Sequence, residues 1–157
     1  MKRFIAALLI SLIISSLAVS AEKTPLKPSK KDKCPVCGMF VYKYPDWVAQ
    51  IIFTDGSVVF FDGAKDLFKF YFDIKKYSPE NSQKDIAAIY VTEYYEMKLI
   101  KAEDAFFVIG SDVYGPMGHE LIPFASRADA EEFMNDHKGR RIVKFEDIEP
   151  GLIKKLD

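Results

Sequence analysis

The sequence predicts an α+β fold made of two related small ββα-type units with antiparallel strands. Three observations carry that prediction. Short apolar runs rich in β-branched and aromatic residues alternate with turn residues. Two stretches of helical periodicity each follow such a run. And the spacing Phe61, Asp66, Phe70 recurs as Phe124, Asp129, Phe133, at an offset of 63 positions. Read as packing, each leading Phe pins a helix to the hairpin before it, which makes the chain an internal repeat.

The first 21 residues read as a secretory leader rather than as part of the fold. Lys2 and Arg3 form a positive start, Ile5 to Ala18 is apolar apart from serines, and Val19-Ser20-Ala21 offers a small-residue cut before Glu22. No Cys stands at that cut, so a periplasmic form without an evident lipid anchor is expected. Residues 22–33, rich in Lys and Pro, read as a flexible tether. The folded domain is expected over 34–157, with units at about 34–80 and 86–148.

Within that domain the elements are expected in the following order. Cys34-Pro35-Val36-Cys37-Gly38-Met39 makes a tight knuckle, and Trp47 to Phe53 a buried strand. Asp55-Gly56 turns the chain into a second strand, Val58 to Phe61. Ala64 to Phe72 follows as a helix with Leu67, Phe68 and Tyr71 on one face, and 77–84 as a polar linker. Ile86 to Thr92, Tyr94 to Ala102, Ala105 to Ile109 and Glu120 to Phe124 read as strands, with 110–118 as a loop. Ser126 caps a helix from Arg127 to His137, Gly139 stops it, and Arg141 to Phe145 closes the domain.

Charge and composition exclude several functions. Of 22 basic side chains two lie in the leader, which leaves 20 against 23 acidic ones and no basic stripe, so no nucleic-acid partner is expected. No later apolar run is long enough to span a bilayer, so contact with a membrane is expected only through partners. There is no Gly-rich phosphate loop and no G-x-S-x-G elbow, and the chain is read as a non-enzyme. Asp62 and Asp66 stand at the start of a helix, where capping is the ordinary role of an acid.

The residues left for chemistry are soft. Cys34, Cys37 and Met39 put three sulfurs within six residues, and thiolate and thioether ligands select Cu(I) over hard ions. In an exported chain a short disulfide is the default for a Cys-x-x-Cys pair. A redox-active dithiol is a further alternative, against which the motif does not sit between a strand and a helix as the thioredoxin pattern requires. Met117 and His119, two positions apart and flanked by Gly115 and Gly118, form a second candidate cluster. The metal-site residues expected from the sequence are therefore Cys34, Cys37, Met39, Met117 and His119. The alternative is an exported, disulfide-stabilised interaction module without metal.

An ordered set of segments carries a family resemblance: Cys34-Pro-Val-Cys-Gly-Met39, Ala88-Ile-Tyr-Val-Thr92, Ala105-Phe-Phe-Val-Ile-Gly-Ser111, Gly115-Pro-Met-Gly-His119, Pro123-Phe-Ala-Ser126 and Ala130-Glu-Glu-Phe133. Together they resemble the NosL family of nitrous-oxide-reductase accessory proteins. That resemblance implies a periplasm-facing Cu(I) metallochaperone, usually a lipoprotein, built from two ββα-type units. Its implied partners are a membrane-associated copper-maturation complex and the recipient cuproenzyme, nitrous oxide reductase. By position, Cys37 and Met39 match the family's Cys-Gly-Met element, and Met117 and His119 its Met-Gly loop. The spacing Phe61-Asp62-x3-Asp66-x3-Phe70 also resembles small heavy-metal modules of the YHS or TRASH type, with Asp at both positions where those modules carry Cys.

Overall fold

A computed structural model describes residues 23–157, so the expected leader lies outside the described residues. The fold is α+β, with two antiparallel sheets and helices packed on them. The first sheet has the order β2-β1-β3-β4, from β1 (Ala49–Phe53), β2 (Val58–Phe61), β3 (Ile86–Thr92) and β4 (Leu99–Lys101). The second has the order β6-β5-β7, from β5 (Phe106–Gly115), β6 (Gly118–Phe124) and β7 (Arg141–Lys144). Helices α1 (Ala64–Phe72) and α2 (Ile74–Tyr77) lie between β2 and β3 in sequence. Helix α3 (Arg127–Asp136) links β6 to β7, and α4 (Pro150–Ile153) ends the fold.

Side-chain alternation in the strands sets where the core lies. In the second sheet Phe107, Leu121 and Val143 face the main core, which they share with Ile51, Phe53, Phe61, Leu67, Phe68 and Phe70. The opposite face presents Val108, Ile122 and Phe124 to Ala130 and Phe133 of α3, a smaller second cluster. Phe61 meets Phe70 at 5.3 Å between ring centroids, and Phe124 meets Phe133 at 4.9 Å. In both halves, then, a Phe ending a strand packs on the helix that follows, as the repeated spacing predicts.

Several expectations shift once strands pair. β3 hydrogen-bonds to β1 and β4 to β3, so sheet membership divides the chain after Lys101 rather than in the 77–84 linker. The strand expected from Tyr94 to Ala102 shortens to Leu99–Lys101, because Glu93 to Lys98 forms a turn closed by the Glu93 N–H on the Lys98 carbonyl. The loop expected over 110–118 is instead the extension of a hairpin: Tyr114 pairs with His119 and Gly115 with Gly118. Residues 23–33 are not a free tether. Gln50 is buried in β1 and satisfies both ends of its amide on the Leu26 backbone at 2.9 Å, while the Tyr90 hydroxyl donates to the Lys23 carbonyl.

Candidate metal centre

The knuckle is set by its backbone. The Cys34 N–H donates to the Met39 carbonyl and the Gly38 N–H to the Cys34 carbonyl, both at 2.9 Å. Gly38 has φ +80°, the left-handed region that a residue without Cβ enters at little cost. This closed turn aims both thiols inward, toward the start of α1.

Two carboxylates from α1 and its approach meet those thiols. The Cys37 thiol donates to Asp62 Oδ1 at 3.1 Å, and the Cys34 thiol to Asp66 Oδ2 at 3.3 Å. One ligand atom from each of Cys34, Cys37, Asp62 and Asp66 lies within 4.8 Å of every other. Both cysteines are free thiols, and Cys34 is buried.

Helix capping was the ordinary reading of Asp62 and Asp66, and the comparison with the second half explains why it fails. At α3, Ser126 takes the Asp129 N–H at 3.1 Å and donates its hydroxyl to the Asp129 carboxylate at 2.6 Å. At α1 the equivalent position is Gly63, which has no side chain to engage Asp66. Asp66 is therefore free to turn toward Cys34.

The cluster carries unfilled hydrogen-bonding capacity. Asp62 Oδ2 and Asp66 Oδ1 are buried without a hydrogen-bond partner, the nearest charge on Asp66 Oδ1 being Lys69 Nζ at 3.7 Å. Buried carboxylate oxygens without partners are costly unless a proton or a cation joins them. Burial pushes the Cys34 thiol far up from its ordinary value, and it pushes Cys37 up from 9.0 to about 12. In each case neighbouring backbone N–H groups pull the other way, and the facing aspartates add to the rise. Without metal both sulfurs are thus protonated.

The donor set has a soft and a hard half. Tetrahedral bond lengths of ~2.3 Å to sulfur and ~2.0–2.2 Å to oxygen put neighbouring S and O ligands roughly 3.5 Å apart. The two S···O contacts, at 3.1 and 3.3 Å, are close to that edge, and with all four ligand atoms within 4.8 Å of one another the group could hold a borderline divalent ion such as Zn2+. The two sulfurs alone, with a thioether added, fit a cuprous ion.

Of the residues singled out from the sequence, Cys34 and Cys37 lie in this cluster. The Met39 sulfur accepts a hydrogen bond from the Tyr44 hydroxyl at 3.5 Å, and the Met39 backbone closes the knuckle. Met117 occupies the two-residue hairpin tip between Gly115 and Gly118, with a side chain 41% exposed. Its carbonyl accepts from Lys65 Nζ of α1 at 2.8 Å, which brings the tip against the helix that carries Asp66. His119 lies outside the four-residue cluster; it packs on Tyr114 at 4.8 Å and lines a hollow with Arg140 and Lys155. The sequence signal for Asp62 and Asp66 was their replacement of cysteines in the heavy-metal-module spacing.

A NosL family model matches residues 25–153. The chain belongs to the NosL family. It is 30% identical over 138 residues to a protein of Stutzerimonas stutzeri named copper-binding lipoprotein NosL, an alignment spanning 83% of this chain and 68% of the relative. The fold also superposes on the crystal structure of the copper chaperone NosL from Shewanella denitrificans. There the TM-score is 0.69 at 25% identity, covering 82% of this chain and 98% of that one. The NosL match spans both sheets and the knuckle, so the cluster lies inside the family domain rather than on an addition to it. Among the described residues no helix is long and apolar enough to cross a membrane.

Proposed function

We propose that this NosL-family chain carries Cu(I) in the periplasm and hands it to a cuproenzyme under assembly, nitrous oxide reductase, working with a membrane-associated maturation complex. The observation that carries the reading is the pair of free thiols held side by side by carboxylates rather than by each other. An S–H···O bond is weak, and a soft ion that binds the sulfurs displaces only a proton from each. The names of the two relatives, copper-binding lipoprotein and copper chaperone, support copper as the cargo.

The chain's own residues account for loading and release. Asp62 and Asp66 each face a thiol and accept its S–H hydrogen bond, which orients the sulfur, and each thiol gives up its proton to solvent as the ion binds. The thiolates then hold the ion, and thioethers from Met39 and Met117 complete a shell of soft donors. Because Met117 sits on an exposed hairpin tip, its ligand is the one a docking partner replaces first. Transfer by ligand exchange replaces one copper–ligand bond with another and leaves the oxidation state of the cargo unchanged, so the chain acts as a carrier and not as an enzyme.

The test is a competition titration of the reduced protein with a chromophoric Cu(I) chelator, followed by incubation with metal-free nitrous oxide reductase. One Cu(I) per chain, lost in Cys37→Ser, and the appearance of copper-centre absorbance in the acceptor are expected. A Cys37→Ser variant with unaltered affinity overturns the site. A loaded chain that leaves the acceptor colourless overturns the recipient.

A further inference from the structure

Lys65 is 2% exposed, although lysine is among the residues least often found inside a protein. It stands on α1 one position before Asp66 and three after Asp62. Its ammonium donates to the Met117 carbonyl at 2.8 Å and to the Leu156 carbonyl at 3.1 Å, and lies 3.5 Å from the Asp157 carboxylate. We infer that Lys65 is a positioning residue: it holds the hairpin tip so that Met117 is presented to the copper site. The inference rests on the reading that Met117 is a Cu(I) ligand.

Three features make the ammonium the determinant of where that thioether lies. The Met117 carbonyl belongs to the two-residue tip, beyond the last ladder pair of the hairpin, so strand pairing does not fix it. The Met117 side chain is exposed, so packing does not fix it either. The second tie between α1 and this hairpin is Glu120, which accepts the Lys65 backbone N–H at 2.5 Å and the Leu121 N–H at 2.9 Å. That tie holds β6 to α1 three positions past Met117, whereas the bond to the Met117 carbonyl itself comes from Lys65. A buried ammonium also adds little to stability beyond what an apolar side chain of similar volume supplies. Its place in the fold is better accounted for by what it orients.

The test uses the full chain labelled at the methionine methyl carbons, observed by NMR with and without one equivalent of Cu(I), alongside chelator competition. Lys65→Met keeps the buried stem and the backbone bond to Glu120 but removes the ammonium. In the native chain the Met117 methyl shifts on copper binding. In Lys65→Met that shift is expected to vanish while the Met39 shift persists, and the Cu(I) dissociation constant to rise about tenfold. In a Met117→Ala background, Lys65→Met is expected to change nothing further, as for two residues acting through one ligand. An intact Met117 shift with unchanged affinity in Lys65→Met overturns the inference and leaves the carrier reading standing. An equal loss of affinity in the Met117→Ala background also overturns it, since it marks general damage. A Met117 methyl that ignores copper in the native chain overturns the ligand reading and the inference with it. Should Lys65→Met not fold, Lys65→Arg keeps the cation on a longer, forked head. It must then displace the Met117 signal and weaken Cu(I) binding, and native values for both overturn the inference.

Discussion

The Cys34 thiol donates to the Asp66 carboxylate at 3.3 Å, across 32 positions of sequence. With Cys37 on Asp62, this pairing gives each sulfur an acid as its partner and leaves the soft ion two thiols to share. The site is mixed in hardness, and its two halves should respond to different metals.

The first expectation separates those halves. Replacing both acids, Asp62→Asn with Asp66→Asn, removes the hard donors and keeps the volume. Zn2+ affinity should fall by at least about a hundredfold, because a four-coordinate site loses two ligands. Cu(I) affinity should stay within a few-fold, since carboxylate oxygens are poor partners for a soft monovalent ion. Parallel competition titrations with chelators specific to each ion read both numbers. A Cu(I) affinity that collapses as far as the Zn2+ affinity would sink the division.

The pH dependence of copper binding follows from the thiols. Burial raises Cys34 well above its ordinary value and Cys37 to about 12, so both hold their protons throughout the neutral range. Each must lose its proton to bind the ion, and lower proton activity favours that loss. Cu(I) affinity should therefore climb with pH, by up to about a hundredfold per unit between pH 6 and 8 if both protons leave. Titrations at three pH values, with the chelator's own protonation corrected, check the slope. A flat profile contradicts protonated thiols.

Gly63 offers a purely steric test. Its φ of 173° is extended backbone open to any residue, so no strain argument applies. A Cβ there, however, would fall inside contact distance of the buried Glu120 carboxylate. Burial pushes that carboxyl up to about 8, and it cannot move outward without breaking its bonds to the Lys65 and Leu121 amides. Gly63→Ala should cost about 1–3 kcal/mol in chemical denaturation. The cost should shrink in a Glu120→Ala background, because the two changes share one contact. Full additivity would show that the crowding lies elsewhere.

How far the sequence foretold this structure depends on whether local pattern or distant pairing decided each element. Helix α1 is read correctly from Ala64 to Phe72, because Leu67, Phe68 and Tyr71 repeat at helical spacing and Gly63 precedes them. β3 is likewise bounded at Ile86 and Thr92. The hairpin extension through Ser111 to Gly115 is missed because Gly110 and Gly115 read as breakers, whereas pairing of Tyr114 with His119 carries the strand through. The docking of residues 23–33 is hidden because it depends on the Gln50 amide, 24 positions from Leu26. At the site, the cysteines are legible from their own spacing. The aspartates are legible only as replacements for cysteine in the heavy-metal-module spacing, because an acid at a helix start has a commoner use, and it is Gly63 in place of a Ser126-like cap that leaves Asp66 free for the site.

The two halves of the repeat make the last expectation. Phe61 and Phe124 each end a strand and pack edge-on or tilted against a helix Phe, at 5.3 and 4.9 Å. Both are fully buried, so truncation to Ala removes a comparable apolar area and leaves a comparable cavity, worth about 3–5 kcal/mol. Their neighbours differ. Phe124 is followed by Ala125 and the Ser126 cap, whereas Phe61 is followed by Asp62, the acceptor of the Cys37 thiol, and its partner Phe70 stands one helical turn past Asp66. Phe124→Ala should lower the melting temperature yet leave metal affinity of the folded fraction close to native. Phe61→Ala should lower both, because the helix register that sets the Asp62 and Asp66 positions loosens with it. Denaturation curves paired with Zn2+ titrations below the melting range distinguish the two. Equal loss of metal affinity in both variants would mean that the cluster depends on the stability of the whole domain and not on the Phe61–Phe70 contact beside it.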